Sequence, residues 1–275
     1  MDLSATVKLN NGLEIPRVGL GVFKSEPGRE THDAVRAAIE LGYRHVDTAA
    51  FYENEESVAS GIRASGVEAD EVFVTTKVWN TDHGRERTLQ AFDRSRRLLQ
   101  RDVIDLYLIH WPMKEQFIET WKTLEELYAA GKVRAIGVSN FLEKHLEQLA
   151  ESSEVTPAIN QVEWHPYVLQ RPLLEYCSRH GIQFEAWSPL ARGRCLEDPV
   201  IKEIAETHGK TPAQVVIRWD LQHNVVTIPK SVRRERIEAN AQVFDFELSD
   251  EEVAKIDALD RNERIGPHPD QIAGT

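Results

Sequence analysis

The sequence alternates short β-rich runs with amphipathic helical runs eight times, and this alternation limits the possible folds more than any other feature. The runs that predict strands lie near residues 18–22, 44–47, 72–78, 104–109, 133–138, 158–162, 182–187 and 225–228. Between and after them, helical patterns cover 29–41, 54–65, 85–100, 117–130, 141–151, 170–180, the pair 198–208 and 212–222, and a last stretch near 234–240. Eight strand–helix units favour a parallel (β/α)8 barrel of the TIM type over an open sheet.

The two ends of the chain fall outside this alternation. Near the N-terminus, VKLNNGLEIP alternates polar and apolar residues around Asn11-Gly12, which predicts a hairpin with a two-residue turn. We expect this hairpin to cap the lower end of the barrel. The tail 261–275 has no periodic pattern and is expected to fold over the barrel mouth. No linker or low-complexity tract interrupts the chain, so residues 1–275 are predicted to form a single domain.

Composition narrows the class of protein. The chain has 33 Lys and Arg against 45 Asp and Glu, a net charge of −12, which argues against nucleic acid or an anionic membrane as a partner. It contains neither a signal-peptide core nor a run approaching the ~18 apolar residues of a membrane span. Cys177 and Cys195 form no C-x-x-C motif, so we expect packing or surface thiols and a reducing, cytoplasmic location.

Three short segments place polar or titratable residues at or just past the ends of apolar runs. The segments are HVDTAAFY at 45–52, TTKVWN at 75–80 and LYLIHWP at 106–112, and the residues are Asp47, Tyr52, Lys77 and His110. Because the carboxyl ends of barrel strands form one open face, we expect these side chains to meet there. Taken singly, each has a structural interpretation: a helix cap, a packing aromatic, a solvated lysine and a core histidine. Taken together, they favour a catalytic site.

These four residue types can protonate a carbonyl oxygen. A free tyrosine titrates near ~10, so we expect the Lys77 ammonium to lower the pKa of Tyr52. An unpaired buried charge is costly, and Asp47 is therefore the expected counter-ion that keeps Lys77 protonated. His110 is expected to hydrogen-bond the substrate oxygen and turn the carbonyl toward Tyr52. The set predicts a carbonyl reductase with Tyr52 as general acid.

Five segments resemble the signature segments of the aldo-keto reductase superfamily, in order and across nearly the whole chain: GYRHVDTAAFYENEESV, TTKVWN, DLYLIHWP, IGVSNF and IPKSVRRERIEAN. The resemblance is to the bacterial branch that includes 2,5-diketo-D-gluconate reductases and glyoxal or methylglyoxal reductases. It implies NADPH-dependent reduction of aldehydes, dicarbonyls or keto-sugars to alcohols. It also implies the catalytic roles given above for Tyr52, Lys77, Asp47 and His110.

The same resemblance implies a cofactor site. It assigns the nicotinamide carboxamide to Ser139, Asn140 and Gln161, a stacking ring to Trp187, pyrophosphate contacts to Ser188 and Leu190, an adenine contact to Asn240, and a further cofactor position to Val232. The chain departs from the family pattern just before Asn240. Ala239 stands where the pattern has glutamate, and Glu238 lies one residue earlier.

The residues themselves also point to a phosphate site. No G-x-G-x-x-G motif follows a strand, but IPKSVRRER follows the eighth predicted strand, where barrels commonly bind phosphate. It contains Lys230, Ser231, Arg233 and Arg236 around a helix start, with the two arginines three apart on one face. The alternative is a solvated basic run. In a chain of net charge −12 the cluster favours a 2′-phosphate, and hence NADPH over a weaker NADH.

The substrate pocket is predicted from fewer residues. By the resemblance, Phe23, Trp79 and Trp111 form an apolar wall around the carbonyl. HWPMKEQFIETW runs almost directly into a helix after the fourth strand, so we expect an open pocket that favours small polar carbonyls. Residues Glu163, His165 and Tyr167 in VEWHPY are expected to line or brace the pocket.

Two other classes of function remain open from the sequence. A metal-dependent barrel hydrolase is suggested by ten histidines and by His45-x-Asp47 on one face of a strand, but no second cluster with ligand spacing and no H-E-x-x-H motif supports a metal. A barrel that binds nucleotide without catalysis is the other class, and the intact set of four residues argues against it. The chain is expected to act on a small carbonyl substrate as a monomer.

Overall fold

A computed structural model describes residues 2–114 and 116–272 of the chain. Its strands are β1 Thr6–Lys8, β2 Glu14–Pro16, β3 Leu20–Gly21, β4 His45–Asp47, β5 Phe73–Val78, β6 Ile104–Ile109, β7 Val133–Ser139, β8 Ile159–Glu163, β9 Gln183–Trp187 and β10 Val226–Thr227. Every strand predicted from the sequence is present, with ends that differ by up to two residues. Strands β5 and β6 are buried along their whole length, as expected where helices cover the outside of a parallel sheet.

Strands β3 to β10 form one parallel sheet in chain order, and this sheet closes on itself. Parallel bridges join Val18 to Thr227 and Gly21 to Lys230, and the Gly19 amide donates to the Thr227 carbonyl at 2.9 Å. Gly21 is needed at this seam, since a Cβ there would lie 2.7 Å from the Ile228 carbonyl oxygen. The predicted (β/α)8 barrel is confirmed.

The helices are α1 Arg29–Glu40, α2 Glu55–Ala64, α3 Arg85–Leu98, α4 Phe117–Ala129, α5 Glu143–Ala150, α6 Arg171–Arg179, α7 Pro199–His208, α8 Pro212–Gln222, α9 Arg234–Ala241 and α10 Asp250–Asp257. Thr211 caps α8 by accepting from the Gln214 amide, with Pro212 in the first turn. Helix α10 was not predicted. Ser249 and Glu252 form the capping box that starts it, a local signal that sequence reasoning overlooked.

The N-terminal hairpin closes the bottom of the barrel, as expected, but its turn differs from the prediction. Leu9 pairs with Leu13 and the Gly12 amide donates to the Leu9 carbonyl, so the loop has three residues, of which only Gly12 has a positive φ, of 88°. A type I turn followed by a left-handed glycine accounts for this geometry. Leu9 and Ile15 pack against barrel residues that include Leu106 and Leu108.

The C-terminal segment crosses the opposite, open end of the barrel. We call residues 261–272 the C-terminal strap; residues 273–275 of the predicted tail lie outside the described part of the chain. Gly266, Pro267 and Ile272 of the strap border the cleft at the barrel mouth. The prediction of a tail over the mouth is confirmed for the strap. Among the described helices, none combines the length and apolar character needed to cross a membrane.

Candidate active site

The four predicted catalytic side chains meet at the carboxyl ends of neighbouring strands. Asp47 is the last residue of β4, Lys77 lies one residue before the end of β5, and His110 directly follows β6. Tyr52 ends the short 3₁₀ turn Ala50–Tyr52 that comes after β4. Asp47, Tyr52 and His110 line a cleft of about 1030 Å³. Lys77 lies beneath the floor of this cleft and has no exposed surface.

The Lys77 ammonium makes several hydrogen bonds beneath this floor. Its Nζ lies 2.7 and 2.8 Å from the two carboxylate oxygens of Asp47, 2.8 Å from the Thr48 carbonyl and 3.5 Å from the Tyr52 hydroxyl. Burial alone would lower the pKa of Lys77, but the adjacent Asp47 carboxylate, together with Tyr52 and Glu185, outweighs burial and raises that pKa above its usual value. The ammonium therefore stays charged at neutral pH, as the sequence predicted.

The pKa of Tyr52 corrects an expectation. Burial raises it to about 12; the Lys77 ammonium lowers it, but only in part, and the Asp47 carboxylate raises it further. The expected net lowering is therefore wrong, because burial of the phenol outweighs the effect of the Lys77 ammonium, and the Asp47 carboxylate adds to the rise. The Tyr52 side chain is only partly buried and borders the cleft, so solvent screening moderates this rise. The phenol is protonated at neutral pH, which is the form that a proton donor requires.

His110 stands across the cleft floor from Tyr52, with their ring centroids 5.7 Å apart in an edge-on arrangement. Burial, aided by the positive charge of Lys77, lowers the pKa of His110 well below its usual value. The imidazole is therefore neutral at physiological pH. A neutral ring carries one N–H and can donate a single hydrogen bond to an oxygen bound between it and Tyr52.

Three further predicted residues form a polar cluster on the adjacent strands. Ser139 and Gln161 are register partners on β7 and β8, and the Ser139 hydroxyl donates to the Gln161 carbonyl at 2.8 Å. Asn140 has a positive φ of 64° and donates to the His110 carbonyl at 2.9 Å, so this left-handed turn fixes its amide at the cleft. Its oxygen accepts from the indole Nε1 of Trp187 at 2.8 Å. The structure thus brings these residues together beside Asp47, Tyr52, Lys77 and His110.

Sequence reasoning missed a buried carboxyl group below this cluster. Gln161 Nε2 donates both to Asp47, at 2.7 Å, and to Glu185 on β9, at 3.0 Å. Burial and the nearby Asp47 carboxylate raise the pKa of Glu185 to about 8. His45, the other half of the suspected metal pair, contacts Thr75 and lies 3.8 Å from Glu185. The only sequence signal for Glu185 was a glutamate inside an otherwise apolar strand run, QFEAW.

The predicted cofactor segment lies at the far end of the same cleft, but only part of it borders the space. Lys230, Ser231, Arg236, Ala239 and Asn240 line the cleft, as do Trp187, Ser188 and Leu190 from the loop after β9. Val232, Arg233 and Glu238 are not among the lining residues. Arg233 precedes the first turn of α9 and is exposed. The two arginines were expected to share one face, but only Arg236 lines the cleft.

Other lining residues at this end were not anticipated. They come from the loop 188–198 and from the start of α8, and they include Arg192, Gly193, Glu197, Thr211 and Pro212. The sequence predicted Thr211-Pro212 as a helix start but carried no signal that this helix start faces the cleft.

Aromatic side chains form the wall nearest Tyr52. Phe23, Trp79 and Trp111 line the cleft as predicted, and the Phe23 ring packs 4.9 Å from that of Tyr52. Phe51 was missed. Its ring stacks on Trp79 with centroids 3.8 Å apart and is 48% exposed, which makes it a large apolar surface at the mouth. Its position next to Tyr52 was the available clue.

No group of three His, Cys, Asp or Glu side chains suited to a metal ion occurs within residues 2–114 and 116–272. Both Asp47 oxygens are engaged by Lys77.

Comparison with known proteins agrees with this arrangement. The aldo/keto reductase family model matches residues 17–261. Glyoxal reductase of Bacillus subtilis (strain 168) is 57% identical over 270 residues, which is 98% of this chain and 98% of that protein. Methylglyoxal reductase DkgA of Escherichia coli (strain K12) is 45% identical over 272 residues, again 98% of each. A crystal structure of a Gox0644 mutant in complex with NADPH superposes with a TM-score of 0.94 at 45% identity, covering 98% of both chains.

The fold and the site therefore define an oxidoreductase built on a (β/α)8 barrel. The chain belongs to the aldo/keto reductase family, whose members use NADP(H).

Proposed function

We propose that this protein is an NADPH-dependent reductase of small aldehydes, dicarbonyls and keto-sugars, with Tyr52 as general acid. The observation that carries the proposal is the Tyr52 hydroxyl 3.5 Å from the buried, charged Nζ of Lys77, in a cleft that it shares with the neutral His110. A protonated phenol beside a fixed ammonium and a neutral N–H donor is suited to donating a proton to a carbonyl oxygen.

The cleft fits a dinucleotide phosphate. It extends from the catalytic side chains to Lys230 and Arg236, and neither cation pairs with a carboxylate within the part of the chain that the structure describes. In a chain of net charge −12, two such cations in one cleft favour a bound anion. Gln161 uses its amide nitrogen on Asp47 and Glu185, which leaves its oxygen to accept from the nicotinamide carboxamide.

When bound, the nicotinamide supplies a hydride to the carbonyl carbon. His110 donates a hydrogen bond to the carbonyl oxygen and so directs it toward Tyr52. As negative charge develops on that oxygen, Tyr52 transfers its proton and an alcohol forms. The phenolate that remains is stabilised by the Lys77 ammonium, which Asp47 holds in place, until Tyr52 regains a proton from water.

The shape of the cleft supports small, activated carbonyls as substrates. The aromatic wall of Phe23, Phe51, Trp79 and Trp111 bounds the mouth on one side, and the segment after β6 reaches α4 within a few residues. Two relatives are named glyoxal reductase and methylglyoxal reductase, in agreement with such substrates.

The test is to follow NADPH oxidation with methylglyoxal, glyoxal, a keto-sugar acid and a steroid ketone, each with and without a chelator. The proposal expects turnover of the small carbonyls that the chelator leaves unchanged. NADPH binding without turnover of any carbonyl would indicate a nucleotide-binding barrel without catalysis, and activity lost with chelator would indicate a metal enzyme.

We also retain a monomeric state and a cytoplasmic location as proposals. The free, buried thiols of Cys177 and Cys195 support a reducing compartment. Light scattering during size-exclusion chromatography tests the monomer against the 31.3 kDa mass of the chain.

A further inference from the structure

The C-terminal strap is attached to the barrel at several places along its length. At its start, the Arg261 guanidinium lies over the Tyr167 ring at 3.8 Å, and the amides of Arg261 and Glu263 donate to the Tyr167 carbonyl at 3.3 and 2.9 Å. Near its end, Asp270 pairs with Lys144 on α5 at 2.7 Å. These contacts fix the path of the strap across the mouth.

Between these attachments a buried carboxylate holds the strap backbone. Glu163, the last residue of β8, has no exposed surface, and it accepts from the amides of Ile265 at 2.5 Å and Gly266 at 3.3 Å. It also accepts from His165 Nε2 at 3.1 Å; the Tyr167 amide donates to the other ring nitrogen, which places the imidazole hydrogen on Nε2.

The ionised form of Glu163 is the stable one. Burial alone would raise the pKa of Glu163, but hydrogen bonds from His165 and from the two strap amides outweigh burial and hold that pKa below its usual value. Charge-assisted bonds from a backbone to a fixed carboxylate are stronger than neutral ones. Glu163 therefore fixes the strap at Ile265 and Gly266 rather than merely contacting it.

The strap backbone at Gly266 lies directly against the indole of Trp187. A Cβ on Gly266 would lie 2.4 Å from Cη2 of that ring, a distance at which something must move. Glu163 and Trp187 are register partners on β8 and β9, so the carboxylate that holds the strap is adjacent to the ring that the strap touches. The indole Nε1, on the five-membered ring, donates to Asn140 at 2.8 Å, whereas Gly266 approaches the six-membered ring. The ring is held at both ends.

We propose that Glu163 and Gly266 are positioning residues for the cofactor, acting through the strap to hold Trp187 in the plane against which the nicotinamide stacks. The inference rests on the proposed function and on the stacking role that the family resemblance implies for Trp187. Its physical reason is preorganisation: a ring whose two side-chain torsions are already fixed loses less entropy when the cofactor binds. Gly266 is required because only a residue without a side chain allows the backbone to approach the indole so closely.

The experiment measures the NADPH dissociation constant by calorimetry for the wild type and for Gly266→Ala, alone and in a Trp187→Phe background. Gly266→Ala is expected to weaken NADPH binding by about two- to twelvefold, the range that corresponds to the loss of one aromatic stacking contact. In the Trp187→Phe background, where the smaller ring leaves room for the new methyl group, the same substitution should have little further effect. This non-additivity is the signature of action through Trp187.

Two further variants test the attachment of the strap. Glu163→Gln removes the charge and one acceptor, so hydrogen exchange at Ile265 and Gly266 should become faster and NADPH binding should weaken as in Gly266→Ala. Asp270→Asn loosens only the outer attachment and should leave the NADPH dissociation constant within about twofold of the wild type. Should Glu163→Gln fail to fold, the Gly266→Ala and Trp187→Phe pair decides the question.

The results separate this inference from the proposed function. A wild-type protein that binds no NADPH or reduces no methylglyoxal would overturn the proposed function. If the wild type does both, two results would overturn only the positioning role. One is that Gly266→Ala binds NADPH as tightly as the wild type does; the other is that the effects of Gly266→Ala and Trp187→Phe on NADPH binding are fully additive.

Discussion

At the scale of single residues, the hydroxyl of Tyr52 is the group on which the proposed reaction depends. Tyr52→Phe removes the proton donor and leaves the groups that line the cofactor end of the cleft intact, so kcat should fall by about 10²–10⁴. The NADPH dissociation constant should remain close to that of the wild type. Tyr128→Phe, a tyrosine on α4 outside the cleft, is the matched control. Retention of more than about a third of the turnover on several aldehydes would rule out Tyr52 as the acid.

Cofactor choice is the second residue-scale question. Arg236 lines the cleft, whereas Arg234 on the same helix pairs with Glu40 at 2.6 Å outside it. Since a charge-assisted hydrogen bond contributes about 1.5–3 kcal/mol, Arg236→Gln should weaken NADPH binding by roughly ten- to a hundredfold and leave NADH nearly unchanged.

Arg234→Gln is the control, and Arg233→Gln should also have little effect, because Arg233 is not among the cleft-lining residues. Binding constants for both cofactors decide the matter. Equal losses for NADPH and NADH would mean that Arg236 does not contact the 2′-phosphate.

Glu185 predicts a pH dependence of stability. Its pKa is about 8 in the folded protein, against roughly 4.3 in an unfolded chain. Between these values the folded state holds a proton that the unfolded state has lost, so the contribution of Glu185 to the free energy of unfolding decreases as pH rises through this window, by at most about 1.4 kcal/mol per pH unit.

Glu185→Gln mimics the protonated acid and should flatten this part of the profile. Urea denaturation of the wild type, Glu185→Gln and the exposed-site control Glu238→Gln at pH 5, 7 and 9 gives the comparison. A Glu185→Gln profile parallel to that of the wild type would show that Glu185 is ionised at neutral pH.

At the scale of secondary-structure elements, the C-terminal strap supplies part of the site from beyond α10. Gly266, Pro267 and Ile272 form part of the cleft wall. Ending the chain at Asp260 should raise KM for methylglyoxal by about tenfold, equivalent to roughly 1.4 kcal/mol of lost binding.

The effect on kcat should be smaller, because Asp47, Lys77 and His110 lie on β4, on β5 and directly after β6 rather than on the strap. Steady-state constants for the truncated and full-length proteins test this. Unchanged constants would remove the strap from the substrate site.

At the scale of the whole molecule, the barrel mouth opens into a cleft that reaches from the aromatic wall to α9. The short connection between β6 and α4 leaves little surface to enclose a bulky ligand, so recognition should depend on the groups around the carbonyl. We expect kcat/KM for methylglyoxal to exceed that for a steroid ketone. The reverse order, measured under the same conditions, would show that the mouth encloses large apolar substrates.

The sequence by itself determined the barrel and the location of the proposed catalytic side chains. Strand–helix periodicity is a local property that can be read from the sequence. Because the carboxyl ends of the barrel strands lie on one rim, residues at those ends, such as Asp47, Lys77 and His110, are expected to lie close together. The glycines at 42, 131 and 181 were predictable for the same reason, because each ends a helix in a left-handed conformation.

Only the tertiary structure decided how these groups behave and what surrounds them. Burial and the charge of Asp47 reverse the shift expected for the pKa of Tyr52, and the same two causes raise the pKa of Glu185 to about 8. The approach of Gly266 to Trp187 joins residues far apart in the chain. Electrostatic environment and long-range contact depend on distances between elements, and a linear pattern does not contain those distances.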